Sequence, residues 1–298
     1  LSVNSAGDIF ITGAVSGKSE ADSFEKKTAY EWNLGLNEVF VLAIDGDSKE
    51  ALWLKTFEGS GYDEGTNLVA NKSRNVVVAV SYQYNLDISE DQTFQSGSDN
   101  FNAGVIRLNS DGDILWAKEF GGDGSEKFEG MDMDEAGNTY TTGVFSDTVG
   151  FGGDQLIGED AHDVFLAAYA VDGSHLWSVG YTGPNFDQAL DLELVDQSIY
   201  ITGRFYESLD FGSSTLSAPE DYDIFVGRFS TSNGALIWAD SLGSTKHDQA
   251  NGIAIGGEGS IYLGGYVKGE GSFGGITTPA VNQTTGDKTD CFILRFTD

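Results

Sequence analysis

IYITGRFYESLDF at residues 199–211 and DIFVGRFSTSNGALIW at residues 223–238 alternate apolar with polar side chains, the pattern of strands with one buried and one wet face. Upstream, Ala189 to Val195 alternates in the same way and meets the first run across Asp196 to Ser198, which reads as a strand pair joined by a tight turn. Ser232, Asn233 and Gly234 turn the chain once more, before a fourth run from Ala235 to Leu242 that carries Trp238. Four short antiparallel strands in succession make one blade of a propeller.

The unit recurs along the whole chain. Trp53, Trp116, Trp177 and Trp238 stand 63, 61 and 61 residues apart. A glycine late in the second strand returns as Gly13, Gly143, Gly203 and Gly265, with Val80 in its place in the second copy. An aromatic three residues earlier returns as Phe10, Tyr140, Tyr200 and Tyr262, with Val77 as the exception. Eight residues after the glycine comes Phe151, Phe211 or Phe273, each followed by glycine. Third strands open with acid, any residue, phenylalanine at Glu38, Asp163, Asp223 and Asp290, and the second copy departs with Asn102, Ala103, Gly104. A fixed period of this size marks units that bury their faces only against neighbours. The expectation is an all-β chain, a β-propeller of four-stranded antiparallel blades within one domain spanning 1–298. Five blades are visible, in units 1–59, 60–121, 122–182, 183–243 and 244–298, the last without its outer strand; an arc of a larger ring is the second reading.

Composition narrows the function classes. Sixteen basic residues against forty-seven acidic ones leave a net charge of −31, which repels nucleic acid and anionic membrane and attracts cations. No apolar run is long enough to cross a bilayer, so no membrane insertion is expected. The segment from Leu1 lacks the basic start and apolar stretch of a signal peptide, as in a mature form or an excised fragment. The single cysteine, Cys291, has no disulfide partner within the chain and reads as a buried structural thiol.

Together with AGNTYTTG (136–143) and DVFLAAYAVDGSHLW (163–177), the quoted stretches resemble the bacterial SBBP-type β-propeller repeat. The resemblance covers nearly the whole chain, most weakly in the second copy and from Lys18 to Asn37. It implies a secreted or cell-surface bacterial module, often one part of a longer chain, with no common catalytic residues. Glycine four residues before tryptophan, at Gly112, Gly173 and Gly234, looks closer to the tryptophan motif of quinone-dependent dehydrogenase propellers than to the sialidase box, but no residues form the dehydrogenases' cofactor pocket.

The function expected is a non-catalytic extracellular binding or structural module that uses its long-loop face. Connections of 20 to 25 residues, such as Gly143 to Asp163 and Gly203 to Asp223, leave on that face, where a rigid scaffold usually carries binding. Two sets of acids recur there. Asp63, Glu126, Asp187 and Asp248 lie ten residues beyond each tryptophan, near the central channel, and are the candidate ligand-binding residues; Glu38, Asp163, Asp223 and Asp290, further out, are the candidate metal ligands. Each carboxylate either fixes its own turn through backbone hydrogen bonds or joins a ring that holds a cation or a hydroxyl-rich sugar. No cofactor is required by the pattern; oxygen ligands would suit calcium. The partner expected is a glycan or a protein at the cell surface, or other domains of a longer chain.

Enzymatic readings have less behind them. His162, His175 and His247 occupy different repeat positions and no serine stands in a nucleophile elbow, so no catalytic residue is assigned. The alternative carried forward is a carbohydrate-active enzyme, a glycoside hydrolase or lyase, with paired carboxylates on the long-loop face. Trp32 is a further candidate platform for a sugar.

Overall fold

The computed structural model describes residues 1–15, 37–96, 100–122, 124–159, 162–268, 271–273, 276–277 and 289–297. Trp32, and most of the connections before Glu38 and Asp290, lie outside the described residues.

The quoted stretch forms a sheet in which Gln188–Val195, Ser198–Asp210, Thr215–Ser230 and Leu236–Ser244 lie side by side, each antiparallel to the next. The same order recurs in Ser2–Val3, Ile9–Val15, Glu38–Ile44 and Ala51–Gly59. It recurs again in Glu64–Ala70, Val76–Tyr82, Asn102–Leu108 and Ile114–Phe120, and in Glu126–Met133, Thr139–Phe145, Asp163–Tyr169 and His175–Tyr181. The fifth sheet pairs Gln249–Ile255, Ser260–Val267 and Asp290–Thr297, with no outer strand among the described residues. First strands of successive sheets pack on one another in chain order, which places them at the inner edge and the tryptophan-bearing strands at the outer edge. The described residues form five successive blades of a β-propeller.

Strand alternation explains why both faces of a middle blade are apolar. Val164, Leu166 and Ala168 join one core with Ile199 and Phe225 of the next blade, while Phe165, Ala167 and Tyr169 join another with Val77 and Phe120 of the previous blade. Each large apolar side chain so buried contributes roughly 1.5–3 kcal/mol. The repeated phenylalanines serve this packing, as the 4.2 Å stack of Phe151 on Phe165 illustrates.

At the two ends of the series one face stays open. Val3 is 57% exposed on the first blade and Ile293 is 86% exposed on the fifth. Cys291 lies on the same strand as Ile293, two residues away and so on the same open face, and is exposed. The expectation of a buried thiol is thereby corrected: among the described residues no further sheet lies over that face.

The tryptophan period has a physical cause in the contact between blades. Trp53, Trp116 and Trp177 donate from Nε1 to the carbonyls of Ser110, Val171 and Thr231, in the turn before the next blade's fourth strand, at 2.9, 3.1 and 2.9 Å. Gly112, Gly173 and Gly234 sit in those turns at φ of +83°, +82° and +70°, and a Cβ on any of them would come within 3 Å of the tryptophan ring. Glycine is required there twice over, for the left-handed backbone and for the close approach. The Trp238 Nε1 is buried without a partner among the described residues.

The long connections are not plain loops. Asn85–Ser89 with Gln92–Gln95, and Thr148–Val149 with Leu156–Ile157, are small hairpins, and in the fourth blade the second and third strands run on to pair Asp210 with Thr215. Each reaches back to the previous blade's outer strand, through Glu58 with Asp87, Gly122 with Val149 and Thr182 with Asp210, and Gly271–Phe273, paired with Ile276–Thr277, does so through Gly243 with Ser272. The long-loop face therefore clasps neighbouring blades together.

Candidate functional site

The acids expected to line the channel are buried rather than presented. Asp63, Glu126, Asp187 and Asp248 are each fully buried. Asp63 Oδ1 accepts the Gln83 N–H at 3.2 Å, Asp187 Oδ1 the Tyr206 N–H at 3.0 Å and Asp248 Oδ1 the Lys268 N–H at 2.9 Å. Asp248 Oδ2 also accepts the Ser244 N–H. Each of these three aspartates fixes the exit of its own blade's second strand. Burial pushes the carboxyls of Asp63, Glu126 and Asp187 up to about 7, 8 and 8. Asp63 Oδ2, Asp187 Oδ2 and both Glu126 side-chain oxygens meet no hydrogen-bond partner among the described residues.

The acids expected to hold metal are not brought together as a set. Glu38 and Asp163 are buried, Asp223 is half-buried and Asp290 is exposed. Asp163 accepts the Glu159 N–H at 2.8 Å and the Gly183 N–H at 3.0 Å. What the fold does bring together is one member of each set. Glu38 raises Asp63, Asp163 raises Asp187 and Asp248 raises Asp223, like charges adding to burial in every case. Asn102 stands at the equivalent place in the second blade. Among the described residues no three His, Cys, Asp or Glu side chains are placed to hold one metal ion.

A different constellation occupies the same rim. Residues directly before the two sets of acids form a row of rings that Tyr266 extends: His162 and Phe186 at 4.8 Å between centroids, Phe186 and Tyr222 at 6.5 Å, Tyr222 and His247 at 4.6 Å, His247 and Tyr266 at 5.8 Å. Tyr206 lies 5.2 Å from Tyr222. All are half-buried, with part of each ring reaching solvent. Arg204, paired across the strands with Gln188, lays its guanidinium 5.1 Å from both Phe186 and Tyr222, Nη1 at 3.0 Å from His247 Nε2 and Nη2 donating to Gln188 at 3.1 Å. The Tyr266 hydroxyl is 3.1 Å from His247 Nε2 and 3.4 Å from Gln249.

Polar contacts continue the row round the inner edge. Gln188 donates to Glu129 at 3.2 Å, and Lys127 pairs with Glu129 at 3.3 Å and with Glu64 at 3.7 Å. Aromatic faces beside a few converging donors and acceptors are how proteins hold small polar ligands and sugars. A separate groove of about 320 Å³ lies at the outer edge, between Lys118 to Phe120 and Gly150 to Gly152, with His175 in its wall.

The sequence singled out neither Arg204, Phe186 nor Tyr222, and it presented His247 only as a histidine without a repeated counterpart. The signal was there in part: the positions before the channel acids are Tyr62, Ser125, Phe186 and His247, those before the third-strand acids include His162 and Tyr222, and Phe101 stands before the equivalent Asn102.

No known protein family matches the chain, and no curated protein does. Among solved structures, the chain is similar to the quinohemoprotein alcohol dehydrogenase ADHIIG of Pseudomonas putida HK5, with 10% identity over 77% of this chain and 52% of that one, at a TM-score of 0.32. The quinohemoprotein alcohol dehydrogenase of Comamonas testosteroni is similar at 10% identity, 78% and 53% coverage and a TM-score of 0.33. BamB of Moraxella catarrhalis is similar at 12% identity, 76% and 78% coverage and a TM-score of 0.22. The chain spans about half the length of the two dehydrogenases. Likenesses this distant carry no argument about activity, and the fold rests on the sheets themselves.

Proposed function

We propose that the chain is a non-catalytic extracellular binding module of the SBBP-repeat type, and that it holds a glycan along the ring row from His162 to Tyr266. The observation that carries this reading is the half-buried set of Phe186, Tyr206, Tyr222 and Tyr266 around Arg204 and His247, an aromatic floor with hydrogen-bonding groups at its edge. The acidic composition and the repeat resemblance support an exported, surface-displayed setting, with neighbouring domains or a surface protein as further partners.

A hydrolase or lyase reading has less support. It needs carboxyls that reach a substrate, whereas Asp63, Glu126, Asp187 and Asp248 are buried.

A glycan array followed by calorimetric titration tests the proposal. Binding that falls at least about tenfold in Tyr222→Ala and in Phe186→Ala, with unchanged thermal midpoints, is expected. A chain that binds no glycan, or whose binding ignores both substitutions, would overturn it. Turnover of a bound glycan would move the assignment to the enzymatic alternative.

A further inference from the structure

Arg204 is held between the rings of Phe186 and Tyr222. Among the described residues Arg74 pairs with Asp8 and Asp45, and Lys127 with Glu64 and Glu129. The Arg204 guanidinium instead contacts His247, the Gln188 amide and two ring faces, and no carboxylate among the described residues. A guanidinium has five N–H donors, of which these contacts use two, and Nε is buried without an acceptor among the described residues.

The stacked rings fix the plane of the guanidinium and so lower the entropy lost when it binds a planar anion. His247 beside it points the same way. Its Nε2 accepts the Arg204 N–H at 3.0 Å and lies 3.1 Å from the Tyr266 hydroxyl, which fixes the edge of the guanidinium as the rings fix its face. The groups acting on His247 are Arg204, Lys268 and Asp221, with Tyr222 and Tyr266 against its ring. Of these Asp221 alone opposes an anion, and it does so from a partly exposed position.

We propose that the ligand on the ring row is a carboxylate-bearing glycan, an otherwise neutral oligosaccharide with a single uronic-acid unit, since a chain of net charge −31 repels a polyanion, and that its carboxylate pairs with Arg204 while its sugar faces rest on Phe186 and Tyr222. This inference rests on the glycan reading above. A charge-assisted, forked contact in a partly dry site accounts for specificity, and the rings account for contact area.

The test uses short, otherwise neutral oligosaccharides that carry one galacturonate, glucuronate or mannuronate unit, together with their carboxyl-reduced forms, which keep length and linkage and lose only the charge. At least one acidic oligomer is expected to bind, and carboxyl reduction to weaken it about tenfold or more. Arg204→Gln should abolish the preference for the acidic form, Arg204→Lys should restore it in part, and Tyr222→Ala should weaken both forms. The carbon-bound proton signals of the His247 imidazole should shift on binding, since the ring touches Arg204. Equal binding of acidic and reduced forms would overturn the carboxylate and leave the glycan reading in place. Silence of every acidic oligomer would also overturn it, and silence of the neutral glycans as well would take the glycan reading with it.

Discussion

Trp116 and Gly173 lock the second blade to the third: the indole donates to Val171 O at 3.1 Å, and a Cβ on Gly173 would fall 2.8 Å from the ring. Because Gly173 stands four residues before Trp177, which locks the third blade to the fourth in the same way, the 61-residue period propagates itself from blade to blade. Gly173→Ala meets both the ring and a φ of +82°, and should destabilise the fold by about 2–4 kcal/mol. Gly212 has φ of +80° and nothing within reach of a Cβ, so Gly212→Ala should cost only about 1 kcal/mol. Denaturant unfolding of the two variants checks the difference, and equal losses would mean the ring contact is not tight.

The tryptophans should differ in their hydrogen bond. Trp177 donates to Thr231 O, while the Trp238 Nε1 is buried and unpaired among the described residues. Removing a satisfied N–H strands its acceptor, whereas removing an unsatisfied one relieves a cost. Replacement by phenylalanine should therefore destabilise at position 177 by about 1 kcal/mol more than at position 238, measured by thermal unfolding of the two variants.

Much of this architecture was legible in the chain. Trp, Gly and the acid-x-Phe triplet repeat with fixed identity, because each has one stereochemical job at every junction. The hairpin clasps were not legible, since pieces such as Thr148–Val149 are too short to show alternation and pair with a strand of another blade, as Gly122 does with Val149. The ring row escaped for the opposite reason. Tyr62, Ser125, Phe186 and His247 share a place but not an identity, and a reading keyed to repeated letters discards them. Burial of the leading acids was hidden too, because sequence shows charge at a rim position without showing the backbone N–H that waits for it.

Stability should fall as pH rises through the neutral range. Asp187, raised to about 8 by burial and by Asp163, is protonated in the fold under conditions where the unfolded chain, near 4, has lost its proton. Its contribution is fully present below about 4 and is lost between about 4 and 8, and Asp63, Glu126 and Asp223 act in the same sense. Asp8, lowered to about 2 chiefly by Arg74, works the other way, but only below the window of the unfolded carboxylate. The melting midpoint is expected to drop from pH 5 to pH 8, and Asp187→Asn, with no charge to bury, should drop less. A midpoint that rises over this range would refute the assignment.

Calcium should not be needed for folding. The carboxylate oxygens of Asp163 and Asp248 already accept N–H groups, as one oxygen of Asp63 and of Asp187 does, and donors aimed at an oxygen leave little room for a cation demanding six to eight oxygens. Melting with excess chelator and with added calcium is expected to give the same midpoint. A rise with calcium that chelator reverses would reinstate the acid pairs as a metal site.

The three histidines allow one direct measurement of the ring row as a binding surface. His162 and His247 belong to the row, and His175 lies in the outer-edge groove, bonded to Ser178 at 3.1 Å. Titrating array-selected glycan into the chain, with the imidazole carbon-bound signals followed by magnetic resonance, should shift His162 and His247 along saturating curves and leave His175 in place. Saturable binding that moves His175 alone, or none of the three, would contradict the account.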